Sequence, residues 1–157
     1  IIHPRVQKDF YKNIPNLEIF GEALAISKNS VCYNGDIFSA DDFKRIHAQF
    51  PNVECFMMGR GILADPSLAR EIRGGKAADQ SDIRRFHDLL YHTYREEVSG
   101  DRNVLFKMKE IWFYLAPMFA DSKKYAKKIK KSERCVAYES AVNELFANCR
   151  FTGTQSK

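Results

Sequence analysis

The 157-residue, 18.2 kDa chain is 45% hydrophobic and 29% charged, a balance that supplies a packed core and excludes a disordered or collagen-like polymer. It falls well short of the roughly 250 residues of a complete eight-stranded α/β barrel, and its longest uncharged apolar-rich stretch, Ile111 to Ala120, is about half of the roughly 20 residues a membrane-spanning helix needs, so a cytoplasmic setting without a membrane partner is expected. The net charge of +5 is uneven: residues 1–76 carry 10 Lys/Arg against 9 Asp/Glu and residues 77–157 carry 15 against 11, which makes a polyanion the expected partner of the second half.

In chain order, Ile1-Ile2-His3 reads as the end of a strand, so that the chain opens in mid-fold. Apolar residues at Leu17, Ile19, Phe20, Ala23 and Leu24 have helical spacing, and Val31-Cys32-Tyr33 reads as a second strand closed by the turn Asn34-Gly35-Asp36. Ser39 is the expected cap of a helix over about 40–50, with Phe43, Ile46, Ala48 and Phe50 inward. Val53 to Met58 is a third strand, followed by the turn Gly59-Arg60-Gly61 and a short helix from about Pro66 to the glycines at 74 and 75.

Past residue 76 glycine and proline nearly vanish and helical periods take over, which predicts a boundary at 74–78 and four helices beyond it. Ser81 is the expected cap of the first, with Ile83, Phe86, Leu89, Leu90 and Tyr94 inward. Val104 to Tyr114 makes the second and Pro117 its end, Asp121 to Lys130 the third, and Glu133 to Cys149 the fourth, with Val136, Ala137, Ala141, Val142, Leu145 and Phe146 inward. The tail from Thr152 is polar and expected to fray. The four cysteines show no C-x-x-C pair, and buried free thiols are expected rather than a metal or disulfide framework.

Two glycine-bearing turns, Asn34-Gly35-Asp36 and Gly59-Arg60-Gly61, follow successive strands one strand-helix unit apart. Glycines there let backbone N–H groups approach an anion closely, and Arg60 adds a charge-assisted contact, so the pair is a candidate phosphate cradle. Each turn taken alone also fits a plain strand-to-helix connection. His3-Pro4-Arg5 follows the first strand, where barrel enzymes place functional side chains. In the second half, Lys123, Lys124, Lys127, Lys128, Lys130 and Lys131 fill six of nine positions with no acid among them, joined by Arg134. Recurrence every three to four residues puts them on one broad helical face suited to phosphates rather than bases. Trp112, Tyr114 and Tyr125 are possible stacking surfaces, with core roles favoured by their spacing.

Ile2-His3-Pro4-Arg5 with Tyr11-Lys12, then Val31-Cys32-Tyr33-Asn34-Gly35-Asp36-Ile37, then Met57-Met58-Gly59-Arg60-Gly61 and Asp65-Pro66, together resemble the closing third of a tRNA-dihydrouridine synthase. That family's blocks run H-x-R with a following Tyr, N-G-D-I, and M-I-G-R-G leading to N-P. The basic helical half is likewise similar to the family's C-terminal RNA-binding bundle. The resemblance implies an α/β part over 1–76, the last three strand-helix units of an incomplete TIM barrel, followed by an all-α tRNA-binding domain over 77–157. It implies an FMN-dependent oxidoreductase that reduces uridine in tRNA to 5,6-dihydrouridine, recharged by NADPH. His3, Asn34, Gly35, Asp36, Gly59 and Arg60 would face FMN, with its phosphate at Gly59 and Arg60. Arg5 would contact flavin or RNA, and Lys123, Lys124, Lys127, Lys128 and Lys131 would bind tRNA.

The departures matter equally. The family's general-acid cysteine lies in an N-x-G-C-P block, and neither that block nor the opening P-M block or mid-barrel lysine occurs here. None of Cys32, Cys55, Cys135 and Cys149 takes the cysteine's place, so no catalytic residue is assigned and the chain alone is expected to be inactive. Pro4 and Asp65 stand where Ala or Gly and Asn are commoner in the family. Three strands would also expose an edge through which copies could associate. The rival readings are a stand-alone basic helical module that binds RNA or protein, and an FMN barrel acting on a small molecule.

Overall fold

The computed structural model describes residues 1–9 and 13–153; Tyr11 and Lys12, the second part of the first motif block, lie outside the described residues, as do 154–157. The first half follows the alternation read from the sequence. Helix α1, Leu17–Ile26, is capped by the Asn16 side chain, which accepts from the Ile19 N–H. Strand β1, Cys32–Asn34, leads to α2, Ala40–Gln49, where Ser39 and Asp42 form a reciprocal capping box. Strand β2, Cys55–Met57, pairs with β1 in parallel, Tyr33 opposite Phe56.

The expected first strand is reduced to one residue. Ile2 bridges Tyr33 in parallel, donating its N–H to the Cys32 carbonyl and accepting from the Asn34 N–H, both at 2.9 Å. The chain is therefore mostly helical with a small parallel sheet, and its described residues form no closed barrel. Alternation along the strands sends Tyr33 and Phe56 toward α1 and α2, where Phe20, Tyr33, Ile37, Ile46, Val53 and Leu68 make one core. Of the expected inner positions of α2, Ala48 is exposed.

The Gly59-Arg60-Gly61 turn is helical in part. Gly59 is the N-cap of the single-turn helix α3, Arg60–Ala64, and α4, Leu68–Ile72, follows it. Ile62 packs on the first core and Leu63 on the second, so this one helix touches both hydrophobic clusters. Gly74, with φ +82°, ends the segment in the left-handed region that glycine alone enters without strain.

Four helices build the second core, around Leu105, Met108, Trp112, Leu115, Ile129, Tyr138 and Leu145: α5, Gln80–Glu97; α6, Asp101–Leu115; α7, Lys123–Lys131; and α8, Cys135–Asn148. The α5 cap is Asp79 rather than Ser81, because Asp79 and Asp82 form a capping box in which the Asp79 carboxylate takes the Asp82 N–H at 2.9 Å. On α5, Leu89 is 68% exposed and His87 is buried in its place; on α8, Val136 is 77% exposed and Ala137 is exposed, while Cys135 and Tyr138 turn inward. One hydrogen-bond network causes both shifts. The Tyr138 hydroxyl accepts from Trp112 Nε1 and lies 2.7 Å from His87 Nε2, and His87 Nδ1 lies 2.8 Å from Asp88. With partners for every polar atom, a tyrosine and a histidine enter the core and displace aliphatic residues to the surface.

Pro117 falls in a 3-10 turn, Ala116–Met118, that ends α6 as expected. The third helix starts later than predicted, because Asp121 adopts φ +58° and Ser122 bonds back to the Ala116 carbonyl at 2.8 Å. Thr152 does not fray: its N–H and hydroxyl both reach the Met118 carbonyl, at 2.8 and 3.0 Å. Cys135 and Cys149 are buried free thiols as expected, whereas Cys32 is half-buried and Cys55 exposed, because alternation puts both on the sheet face away from α1 and α2. Among the described residues no helix is long and apolar enough to cross a membrane, and no group of three or more His, Cys, Asp or Glu side chains is placed to hold a metal ion.

Candidate functional site

Parallel pairing brings three chain segments that are far apart in sequence to one end of the sheet. The loop after Ile2, the turn after β1 and the turn after β2 all emerge there, and side chains tie them together. His3 Nδ1 lies 2.7 Å from the Asn34 carbonyl, and Asn34 Nδ2 donates to the Met57 carbonyl at 2.8 Å. Asp36 joins the same segments by charge: it accepts from Arg5 Nη1 at 3.0 Å and Arg60 Nη2 at 2.7 Å through one oxygen, and from Arg5 Nη2 through the other.

Between these segments lies a cleft of about 250 Å³. His3, Asn34, Gly35, Asp36, Gly59 and Arg60, the six residues singled out for cofactor contact, all line it. Phe38 and Met57 also line it and were not singled out; the Arg60 guanidinium sits over the Phe38 ring, 5.4 Å from its centroid. A short apolar-aromatic run beside N-G-D carries no pattern of its own, so only the fold places Phe38 there.

The electrostatics of the cleft follow from this packing. Burial alone would raise the Asp36 carboxyl, but the Arg5 hydrogen bond and the charges of Arg5, Arg60 and His3 outweigh it and hold the group below the ordinary carboxylate range. The hydrogen bond that Arg5 donates to Asp36 in turn raises Arg5 above its ordinary value. One carboxylate thus holds two guanidiniums, of which Arg60 lines the cleft. Arg5, expected to touch flavin or RNA, has a side chain only 3% exposed, and it also donates to the Asn13 carbonyl at 2.9 and 2.6 Å. It holds the first loop against the second.

The two turn glycines differ. A Cβ on Gly61 would stand 2.0 Å from the Ile37 carbonyl oxygen, so the backbone of α3 and the turn after β1 touch only because residue 61 has no side chain. A Cβ on Gly59 would meet nothing within 4 Å, which leaves the backbone open where it lines the cleft.

The second candidate surface is α7. Lys123, Lys124, Lys127, Lys128, Lys130 and Lys131 are all exposed, while Ile129 anchors the helix in the core. Lys128 pairs with Glu144 of α8, and Lys124 and Lys128 flank the Tyr125 ring at 5.6 and 5.9 Å. Of the possible stacking residues, Trp112 is buried and Tyr114 and Tyr125 are half-buried. Among the described residues, the exposed phenylalanines are instead Phe106 and Phe113 of α6, whose seven-residue spacing opposite Val104, Met108, Ile111 and Leu115 was the available signal.

Comparison with known proteins agrees with the motif blocks. The family model described as dihydrouridine synthase (Dus) matches residues 1–149. The tRNA-dihydrouridine(16) synthase of Pseudomonas putida is 28% identical over 90 residues, covering 57% of this chain and 28% of that protein. The tRNA-dihydrouridine(16) synthase of Shewanella oneidensis is 30% identical over 123 residues, covering 77% of this chain and 38% of that protein. The chain thus spans well under two thirds of the length of these relatives. A family match over nearly the whole chain, on the blocks that converge at the cleft, places it: the chain belongs to the dihydrouridine synthase family.

Proposed function

We propose that this chain is part of an FMN-dependent enzyme that reduces uridine to 5,6-dihydrouridine in tRNA with NADPH as reductant, and that it contributes the flavin-phosphate half-site and the RNA-binding helices. In this reading residues 1–76 are the last strand-helix units of a TIM barrel, and residues 77–157 are the tRNA-binding domain. The observation that carries it is the convergence of three motif blocks, separated by tens of residues, on one cleft that Arg60 lines.

The residues fit a flavin phosphate. The open backbone at Gly59 admits a close anion, Arg60 supplies charge, and Asn34 and His3 supply polar edges for the ring system. Asp36 orients Arg60 through their ion pair rather than meeting the phosphate itself, since carboxylate and phosphate repel. When bound, the flavin supplies the hydride that reduces the uracil ring. The chain's own residues bind and orient, and no residue is assigned to donate the proton, because the N-x-G-C-P cysteine block is absent from the sequence. The chain alone is therefore inactive. The relatives' position-16 specificity is the first to test in any complex that restores activity.

The exposed lysines of α7 grip phosphates without reading bases. Binding of unmodified tRNA across a salt series tests the reading, with Lys123, Lys124, Lys127 and Lys131 changed to Glu as the control. Affinity falls steeply with salt, and the control loses binding. A salt-insensitive association, or one the control retains, would instead favour a protein-binding helical module or a small-molecule flavin enzyme.

A further inference from the structure

Strands β1 and β2 begin on a matched pair of thiols. Cys32 and Cys55 are the first residues of their strands and stand directly opposite each other in the parallel register. Neighbouring strands lie about 4.8 Å apart, inside the roughly 4.4–6.8 Å between Cα atoms that a disulfide spans. Period-two alternation turns both side chains to the same sheet face, opposite the one on which Tyr33 and Phe56 pack. Both are free thiols, Cys32 half-buried and Cys55 exposed. Burial, and after it a hydrogen bond with the Cys55 thiol, pushes the Cys32 thiol above its ordinary value.

The other two cysteines show the contrast. Cys135 opens α8 and Cys149 caps its far end, about 21 Å away at the usual rise per residue, and both are buried, so they cannot meet. Free cysteine is among the most buried of residue types, and Cys135 and Cys149 follow that habit. Cys55 departs from it. Among the described residues β2 pairs on one side only, with β1, which leaves Cys55 on an edge that a small oxidant reaches.

We infer that Cys32 and Cys55 are a peroxide-responsive dithiol whose reversible disulfide latches β1 to β2. The inference lies beyond the flavin and tRNA reading and does not rest on it. The exposed Cys55 thiolate attacks one oxygen of the peroxide: an S–O bond forms, the O–O bond breaks, and the departing hydroxide takes up the thiol proton as water. The Cys32 thiolate then attacks the Cys55 sulfur: the S–S bond forms, the S–O bond breaks, and a second water leaves with the Cys32 proton. Two thiols lose two electrons and two protons, and the peroxide becomes two waters. The bridge closes the loop that carries α2, which narrows the unfolded ensemble and stabilises the fold. It stands at the start of both strands, and neither cysteine lines the cleft beyond their other ends.

The test treats the full chain, dilute and reduced, with hydrogen peroxide, alkylates the remaining free thiols and digests with trypsin. Cleavage after Lys28, Lys44, Arg45 and Arg60 puts Cys32 and Cys55 on separate peptides, so the bridge appears as a linked pair that dithiothreitol splits. The linked pair forms at a rate independent of protein concentration, Cys135 and Cys149 stay reduced, and the thermal midpoint rises by roughly 5–15 °C over the reduced parent. Cys32→Ser stops at a Cys55 sulfenic acid that dimedone traps. Cys55→Ser keeps every methionine, so it controls for methionine oxidation, and its midpoint does not rise. A bridge between the Cys55 thiols of two copies overturns the latch, as does a Cys55 sulfinate beside a free Cys32. Two thiols that survive the peroxide overturn it too, and so does a Cys32–Cys55 bridge that leaves the midpoint unchanged or lower.

Discussion

Asp36 and Arg60 are 24 residues apart in sequence and share an ion pair of 2.7 Å that ties the turn after β1 to the first helix after β2. Because Asp36 also holds the buried guanidinium of Arg5, one carboxylate sets the spacing of all three loops around the cleft. The shape of the candidate cofactor site thus depends on a group that need not touch the cofactor.

Removing that carboxylate is the first prediction. Asp36→Asn leaves the Arg5 charge without its counter-ion and destabilises the chain by about 1–3 kcal/mol, measured by urea unfolding at pH 7. The pH dependence has a definite sign. The folded-state carboxyl lies below its ordinary value of 3.8, so its stabilisation is complete above about pH 4 and drains as pH falls through the folded value. Below pH 4 the parent loses stability faster than Asp36→Asn, and parallel pH profiles would refute this role.

The two turn glycines separate folding from binding. Gly61→Ala forces its methyl into the Ile37 carbonyl and destabilises by about 1–3 kcal/mol. Gly59→Ala has open space and a φ of −99°, so its unfolding midpoint stays within about 0.5 kcal/mol of the parent. If the cleft takes a flavin phosphate, Gly59→Ala weakens FMN binding, read by quenching of flavin fluorescence, in whichever assembly binds FMN. Equal unfolding midpoints for the two variants would count against the close approach at Gly61.

In the helical core, Tyr138→Phe removes the hydroxyl that Trp112 Nε1 and His87 Nε2 share, and leaves both nitrogens buried without that partner. The expected cost is about 1–3 kcal/mol in thermal or urea unfolding. Trp112→Phe in the same background costs less than it does in the parent, since the shared oxygen is already gone. Additive effects of the two changes would show that the network does not act as a unit.

His87 makes the same core sensitive to mild acid. Burial pushes its pKa below the ordinary 6.5, and this outweighs the upward pull of Asp88, with Arg84 and His92 adding to the lowering. The unfolded chain then binds a proton more readily than the folded one, so stability is full above about pH 6.5 and falls as pH drops below it, by at most about 1.4 kcal/mol per pH unit. His87→Gln flattens the profile between pH 6.5 and 5, and an unchanged slope in that variant would assign the titration elsewhere.

The sequence by itself determined the alternation of strands and helices, the cap at Ser39, the chain reversal at Gly74 and the two glycine turns at the cleft, while the full set of six residues around it came from the family resemblance. These rest on local chemistry: turn glycines, capping side chains and apolar periods act within a few residues, and the motif blocks already follow successive strands. Tertiary structure decided the rest. Which side of α8 faces inward depended on whether Tyr138 could satisfy its hydroxyl, and its partners sit 51 and 26 residues away. The role of Arg5 turned on a carboxylate 31 residues distant, which converts an exposed-looking basic loop residue into a buried strut. That Phe106 and Phe113 stay in water was decided by the packing of Val104, Met108, Ile111 and Leu115 against the other helices. Local patterns say which residues share a helix face, and the burial of that face is settled by what the rest of the chain packs against it.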